Sequence, residues 1–93
     1  MNIPKKLKIG GHTYKVITEK PGEINERGTC GVTNKSKGII SINKNLIQSE
    51  KECTLIHEIF HIINNELNEA VIESLSQQLY QVLRENKLLK NGK

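Results

Sequence analysis

The run His57-Glu58-Ile59-Phe60-His61 has the form H-E-x-x-H. If it lies on a helix, the two histidines are four residues apart on one face, with Cβ atoms about 6 Å apart. Both imidazoles can then reach one Zn²⁺ at ~2.1 Å. Glu58 sits a quarter-turn round the same helix. From there its carboxylate does not easily join the ligand shell, but it can take a proton from a water at the metal. Two imidazoles beside an unligated carboxylate form the division of labour of a metallohydrolase. The plain alternative is a pair of surface or core histidines with no ligand.

Two histidines hold zinc weakly, and protein sites generally add a third ligand. Glu69 and Glu73 follow at a spacing of four, so on a second helix they share a face and either completes the set. Cys53 precedes His57 by four residues. It offers a Cys-His-His set as an alternative to its more ordinary role as a small buried side chain. Tyr80 falls on the Glu69/Glu73 face by angle and is a candidate transition-state donor, or a core aromatic. His12, next to Gly11, reads as an ordinary exposed histidine. Two imidazoles and a carboxylate accept several divalent ions, so zinc is chosen on ligand type.

The motif needs a helix to carry it. Ser49 and Glu52 make a Ser-x-x-Glu capping box, which predicts a helix from Ser49 to about Asn64. Leu55, Ile56, Ile59, Phe60, Ile62 and Ile63 form its apolar arc, and His57 and His61 lie outside that arc. The Asn64-Asn65-Glu66-Leu67-Asn68 run breaks it, and Asn68 caps a second helix. That helix carries Ala70, Val71, Ile72, Leu75, Leu79, Val82 and Leu83 on one face and fades among Asn86, Lys87, Lys90 and Gly92. Packing the two stripes together brings the Glu69/Glu73 edge to the histidines.

The first half reads as β. Ile3 to Ile9 and His12 to Thr18 flank Gly10-Gly11, a two-residue hairpin signal that puts Tyr14 and Val16 on one face. Lys20 to Gly28 reads as a loop. Thr29 to Thr33 and Gly38 to Asn43 bracket a turn at Asn34-Lys35-Ser36-Lys37, with Ile40 and Ile42 on one side of the second strand. The expected fold is α+β: a small N-terminal antiparallel sheet, then the H-E-x-x-H helix and a C-terminal helix.

With 93 residues the chain has the length of one domain, 1–93, and its core must draw on thirteen Ile and nine Leu, with aromatics at only 3%. Such a small core gains from a staple, and a bound metal is one. All ten acids are Glu and none is Asp. That composition excludes Asp-rich calcium loops, aspartic dyads and Ser-His-Asp triads. Cys30 and Cys53 are too few for a disulfide framework. No stretch has the length and apolarity of a membrane span or of a leader's apolar core, so the expected setting is the cytoplasm. The net charge of +4 favours solubility. Lysines without interleaved aromatics support nucleic-acid binding only weakly.

The H-E-x-x-H run, followed by Asn68-Glu69-Ala70-Val71-Ile72-Glu73, resembles the zincin metallopeptidases, and among them the gluzincins. Thermolysin-like members carry an Asn-Glu-Ala-x-x-Asp run that supplies the third zinc ligand. The resemblance implies one Zn²⁺ held by His57, His61 and Glu69, with Glu58 as general base. Glu73, where those enzymes have Asp, is implied as the group that orients a ligand histidine. Only seven residues separate His61 from Glu69, far fewer than in those enzymes, and this leaves Glu73 as an alternative ligand. The whole chain, through Thr54-Leu55-Ile56-His57-Glu58 to Leu75-Ser76-Gln77-Gln78-Leu79-Tyr80, also looks like small metallopeptidase-like proteins of phages and prophages. Those relate loosely to the ImmA/IrrE and SprT-like groups.

The expected function is hydrolysis of a peptide or protein substrate, with the strand at Gly38 to Asn43 as the edge along which the peptide lies. The alternatives are a non-catalytic zinc-stabilised interaction module and a nucleic-acid-associated protease. The oligomeric state is left open.

Overall fold

In the computed structural model, which describes residues 2–20 and 30–89, the element order is four strands and then two helices. The strands are β1 (Lys6–Ile9), β2 (His12–Glu19), β3 (Gly31–Asn34) and β4 (Ile39–Asn43). The helices are α1 (Gln48–Ile63) and α2 (Glu69–Glu85). The class is α+β, as the patterning predicts. The expected loop from Lys20 to Gly28 and the start of the expected strand at Thr29 lie almost wholly outside the described residues.

β1 and β2 form the expected hairpin, with Ile9 opposite His12. Gly10 and Gly11 both have positive φ, 60° and 86°, the backbone that a two-residue turn between right-twisted strands demands. β3 and β4 also pair antiparallel, with Gly31 opposite Ile42 and Thr33 opposite Ile40. The central pair differs from expectation, because β2 and β4 run parallel, with Val16 beside Ile40. The sheet is therefore mixed, in the order β1-β2-β4-β3. Local alternation reveals strands but not their partners, and two hairpins joined by a long connection can meet in either sense.

This order also corrects the expected peptide edge. β4 is paired on both sides, and β3 is the outer strand beside it. The hydrogen bond from Asn43 N to Cys30 O, 2.7 Å, fixes the alternation along β3. Cys30, Val32 and Asn34 aim their backbone groups at β4, while Gly31 and Thr33 aim theirs at the outer edge, where no strand among the described residues pairs.

Tyr14 and Val16 of β2, Ile40 and Ile42 of β4, and Leu55 of α1 form the buried core, with Leu7, Ile9, Leu46, Ile59 and Ile62 packed against it. Each aliphatic side chain removed from water there contributes about 1.5–3 kcal/mol. Leu55 and Ile56 of the predicted α1 arc are buried, but Ile63 at its end is exposed. On α2 the buried line is Ile72, Ser76 and Tyr80, a single i, i+4, i+8 ridge. Val71, Leu75, Leu79 and Val82, predicted on the packed face, are exposed. Ser76 is small enough for α1 to approach closely, and its hydroxyl is satisfied within the helix by donating to Ile72 O at 2.6 Å.

The capping box at Ser49 is not formed. The helix starts one residue earlier, after Ile47, without a side-chain cap. Glu52 is turned towards α2, where it accepts from the Tyr80 hydroxyl at 2.6 Å, and it also accepts from Gln48 Nε2 at 2.9 Å. Asn68 caps α2 as expected, its Oδ1 accepting from Val71 N at 2.8 Å. With Asn64 Oδ1 accepting from Glu66 N at 3.0 Å, the break between the helices is pinned at both ends. That short turn returns α2 along α1.

A candidate metal centre between two helices and an edge strand

α1 carries His57 and His61 one turn apart, and their Nε2 atoms converge to 3.2 Å with ring centroids 4.9 Å apart. α2 begins at Glu69, so its first turn delivers that carboxylate across the two rings. Glu69 Oε1 lies 2.5 Å from His57 Nε2, and Oε2 lies 3.2 Å from His61 Nε2. One donor atom from each of the three residues lies within 4.8 Å of the others. Three donors converging this closely, from imidazole and carboxylate, make the set a divalent cation of the zinc type takes. Burial works to raise the Glu69 carboxyl, but its hydrogen bonds and charge interactions with His57 and His61 outweigh it, holding the group below the usual carboxylate range.

Glu73, one turn further along α2, approaches the other nitrogen of the same ring, with Oε2 3.4 Å from His57 Nδ1. The two carboxylates thus flank His57 from its two sides, Glu69 at Nε2 and Glu73 at Nδ1. A carboxylate at the far nitrogen fixes ring orientation and tautomer. Glu69 thus stands in the converging set, and Glu73 stands at the other nitrogen of His57.

Glu58 projects from α1 towards β3. It is buried, 6% exposed, and its Oε1 accepts from the Thr33 hydroxyl at 2.7 Å. No buried side-chain nitrogen or oxygen among the described residues lacks a partner, and Glu58 also lines the cleft beside the two histidines. Gly31 explains how α1 and β3 come so close. A Cβ at that position would stand 2.6 Å from Thr54 Cγ2 and 3.6 Å from Glu58 Cγ. A cleft of about 690 Å³ runs between these elements, lined by Gly31, Thr33, Cys53, His57, Glu58, His61, Glu69 and Glu73 among others.

Cys53 borders the cleft but stands outside the converging donor set. Burial, with Glu73 and Glu50, pushes its thiol up, which disfavours the thiolate that a metal would bind. Tyr80 is elsewhere. Its hydroxyl is committed to Glu52 in a second cavity, lined also by Thr18, Lys51 and Arg84. Tyr80 shares an angular position with Glu69, but eleven residues at 1.5 Å each put it about 16 Å away along the helix axis. It is a core tyrosine, pushed up to about 12 by burial and by its hydrogen bond to Glu52.

Sequence reasoning missed Thr33 and Gly31. Neither carries a local signal, since both act across 20 residues or more on a partner helix. No helix among the described residues is long and apolar enough to cross a membrane.

No curated protein and no solved structure matches the chain. A family model does match, over residues 11–87, from the first hairpin to the end of α2. On that match, which takes in strands β2, β3 and β4 and both helices, the chain belongs to the Peptidase_M78 family, the IrrE N-terminal-like domain.

Proposed function

We propose that the protein is a zinc-dependent metallopeptidase in which His57, His61 and Glu69 hold one metal ion and Glu58 is the general base. The family is of the metallopeptidase type, and the donor set suits the group. A zinc ion held there would supply Lewis-acid polarisation of a peptide carbonyl and acidify a water beside it. The remaining chemistry belongs to the chain. Glu58 Oε2 takes the proton of the attacking water and returns it to the leaving amine. Glu73 keeps the His57 ring turned so that Nε2 faces inward. The outer edge of β3, unpaired among the described residues and with the backbone groups of Gly31 and Thr33 directed outward, suits an extended peptide added as a further strand.

The observation that carries this reading is the convergence of His57 Nε2, His61 Nε2 and the Glu69 carboxylate, with Glu58 beside them and outside the donor set. The test is Glu58→Gln, assayed on an unfolded protein substrate such as casein. The variant keeps its zinc and its melting temperature while hydrolysis falls by about 10²- to 10⁴-fold. A module in which the same residues only staple the fold loses nothing on this substitution, and that result would contradict the proposal.

A further inference from the structure

The bond from Thr33 to Glu58 joins residues 25 apart in sequence and ties the edge strand to the helix that carries the donor histidines. Thr33 stands opposite Ile40 in the sheet, so its side chain points to the covered face and its hydroxyl has Glu58 as its partner. Glutamate has three rotatable side-chain bonds, and a base must be held close to its working geometry to be effective. A hydroxyl donor on Oε1 restricts the rotation of the carboxylate and leaves Oε2 for the proton. Gly31, by admitting α1 to within contact of β3, makes this bond geometrically possible.

We infer that Thr33 is a positioning residue for Glu58: its hydroxyl, carried on the edge strand, sets the orientation in which α1 presents the base. The inference rests on the reading of Glu58 as general base.

The test uses acetohydroxamate, a small chelating group whose exchangeable protons a properly placed Glu58 can accept. It is titrated into the cobalt-loaded protein and followed by visible absorption, with metal affinity measured separately by chelator competition. Thr33→Val keeps the β-branched shape and removes the donor. It is expected to weaken hydroxamate binding roughly three- to tenfold while leaving metal affinity at the wild-type value. Thr33→Ser restores binding, and Glu58→Gln weakens it at least as much as Thr33→Val. Wild-type hydroxamate binding by Thr33→Val beside a weakened Glu58→Gln would overturn the inference and leave Glu58 as base. Wild-type binding by Glu58→Gln would remove the reading of Glu58 and the inference with it. Loss of metal affinity in Thr33→Val, or no recovery in Thr33→Ser, would mark the bond as structural only and also overturn the inference.

Discussion

Replacing Tyr80 by Phe separates the position the structure gives this residue from the catalytic role its helical spacing suggests. The ring stays and its packing with it, so the variant loses the hydroxyl that donates to Glu52 Oε1 at 2.6 Å. Glu52 is 6% exposed and keeps its bond from Gln48 Nε2. A hydrogen bond to a charged group is worth about 1.5–3 kcal/mol, and with Gln48 retained we take a loss of about 2 kcal/mol. For a domain of this size that lowers Tm by roughly 8–16 °C.

The pH dependence gives a second signature of the same bond. Burial pushes the Glu52 carboxyl up, and the hydrogen bonds from Tyr80 and Gln48 are among the interactions that bring the group below its ordinary value. A depressed carboxyl contributes stability above its unfolded pKa and loses it as pH falls through the folded one. The gap between wild type and Tyr80→Phe is therefore widest near neutrality and narrows in acid. At the alkaline end the wild type alone loses stability as pH rises from the ordinary tyrosine range towards about 12. Urea unfolding followed by circular dichroism at several pH values measures both effects, with zinc affinity as a control that stays unchanged. A Tyr80→Phe protein of wild-type stability that has lost hydrolysis would refute this reasoning and return Tyr80 to the reaction.

Gly31→Ala places a Cβ 2.6 Å from Thr54 Cγ2 and 3.1 Å from Ser41 O, so urea unfolding should register a loss of about 1–3 kcal/mol from overpacking. Adding Thr54→Ser removes the nearer atom and recovers part of the loss; no recovery would show that the Ser41 carbonyl is the contact that matters. Glu69→Gln should weaken zinc binding more than Glu73→Gln, whose effect through the His57 ring is about 10- to 100-fold. Competition against a chromophoric chelator ranks the two, and the opposite order would exchange their roles.

The elements that position the site were legible because each rests on local chemistry. Two glycines with positive φ made the hairpin, Asn68 capped α2, and His57 and His61 avoided the apolar arc. The converging Glu69 also followed, since a short break between two helices returns the first turn of one to the middle of the other. What could not be read depends on distant partners. The parallel pairing of β2 with β4 is decided by how the chain crosses between hairpins, and alternation is silent on that. Helical angle put Tyr80 with Glu69, but angle ignores distance along the axis. Glu52 fitted a capping box by spacing, yet a buried tyrosine hydroxyl on α2 took it. The exposed line of Val71, Leu75, Leu79 and Val82 shows the same limit, since apolar spacing does not say which side of a broad stripe the neighbouring helix covers.

The central claim is that one divalent ion sits between α1 and the start of α2. Zinc bound per chain, measured on the purified protein and on His57→Ala after equilibration with the same free zinc, tests it most directly. The account predicts one zinc per wild-type chain and none on His57→Ala. Equal zinc on both proteins, or none on the wild type, would contradict it.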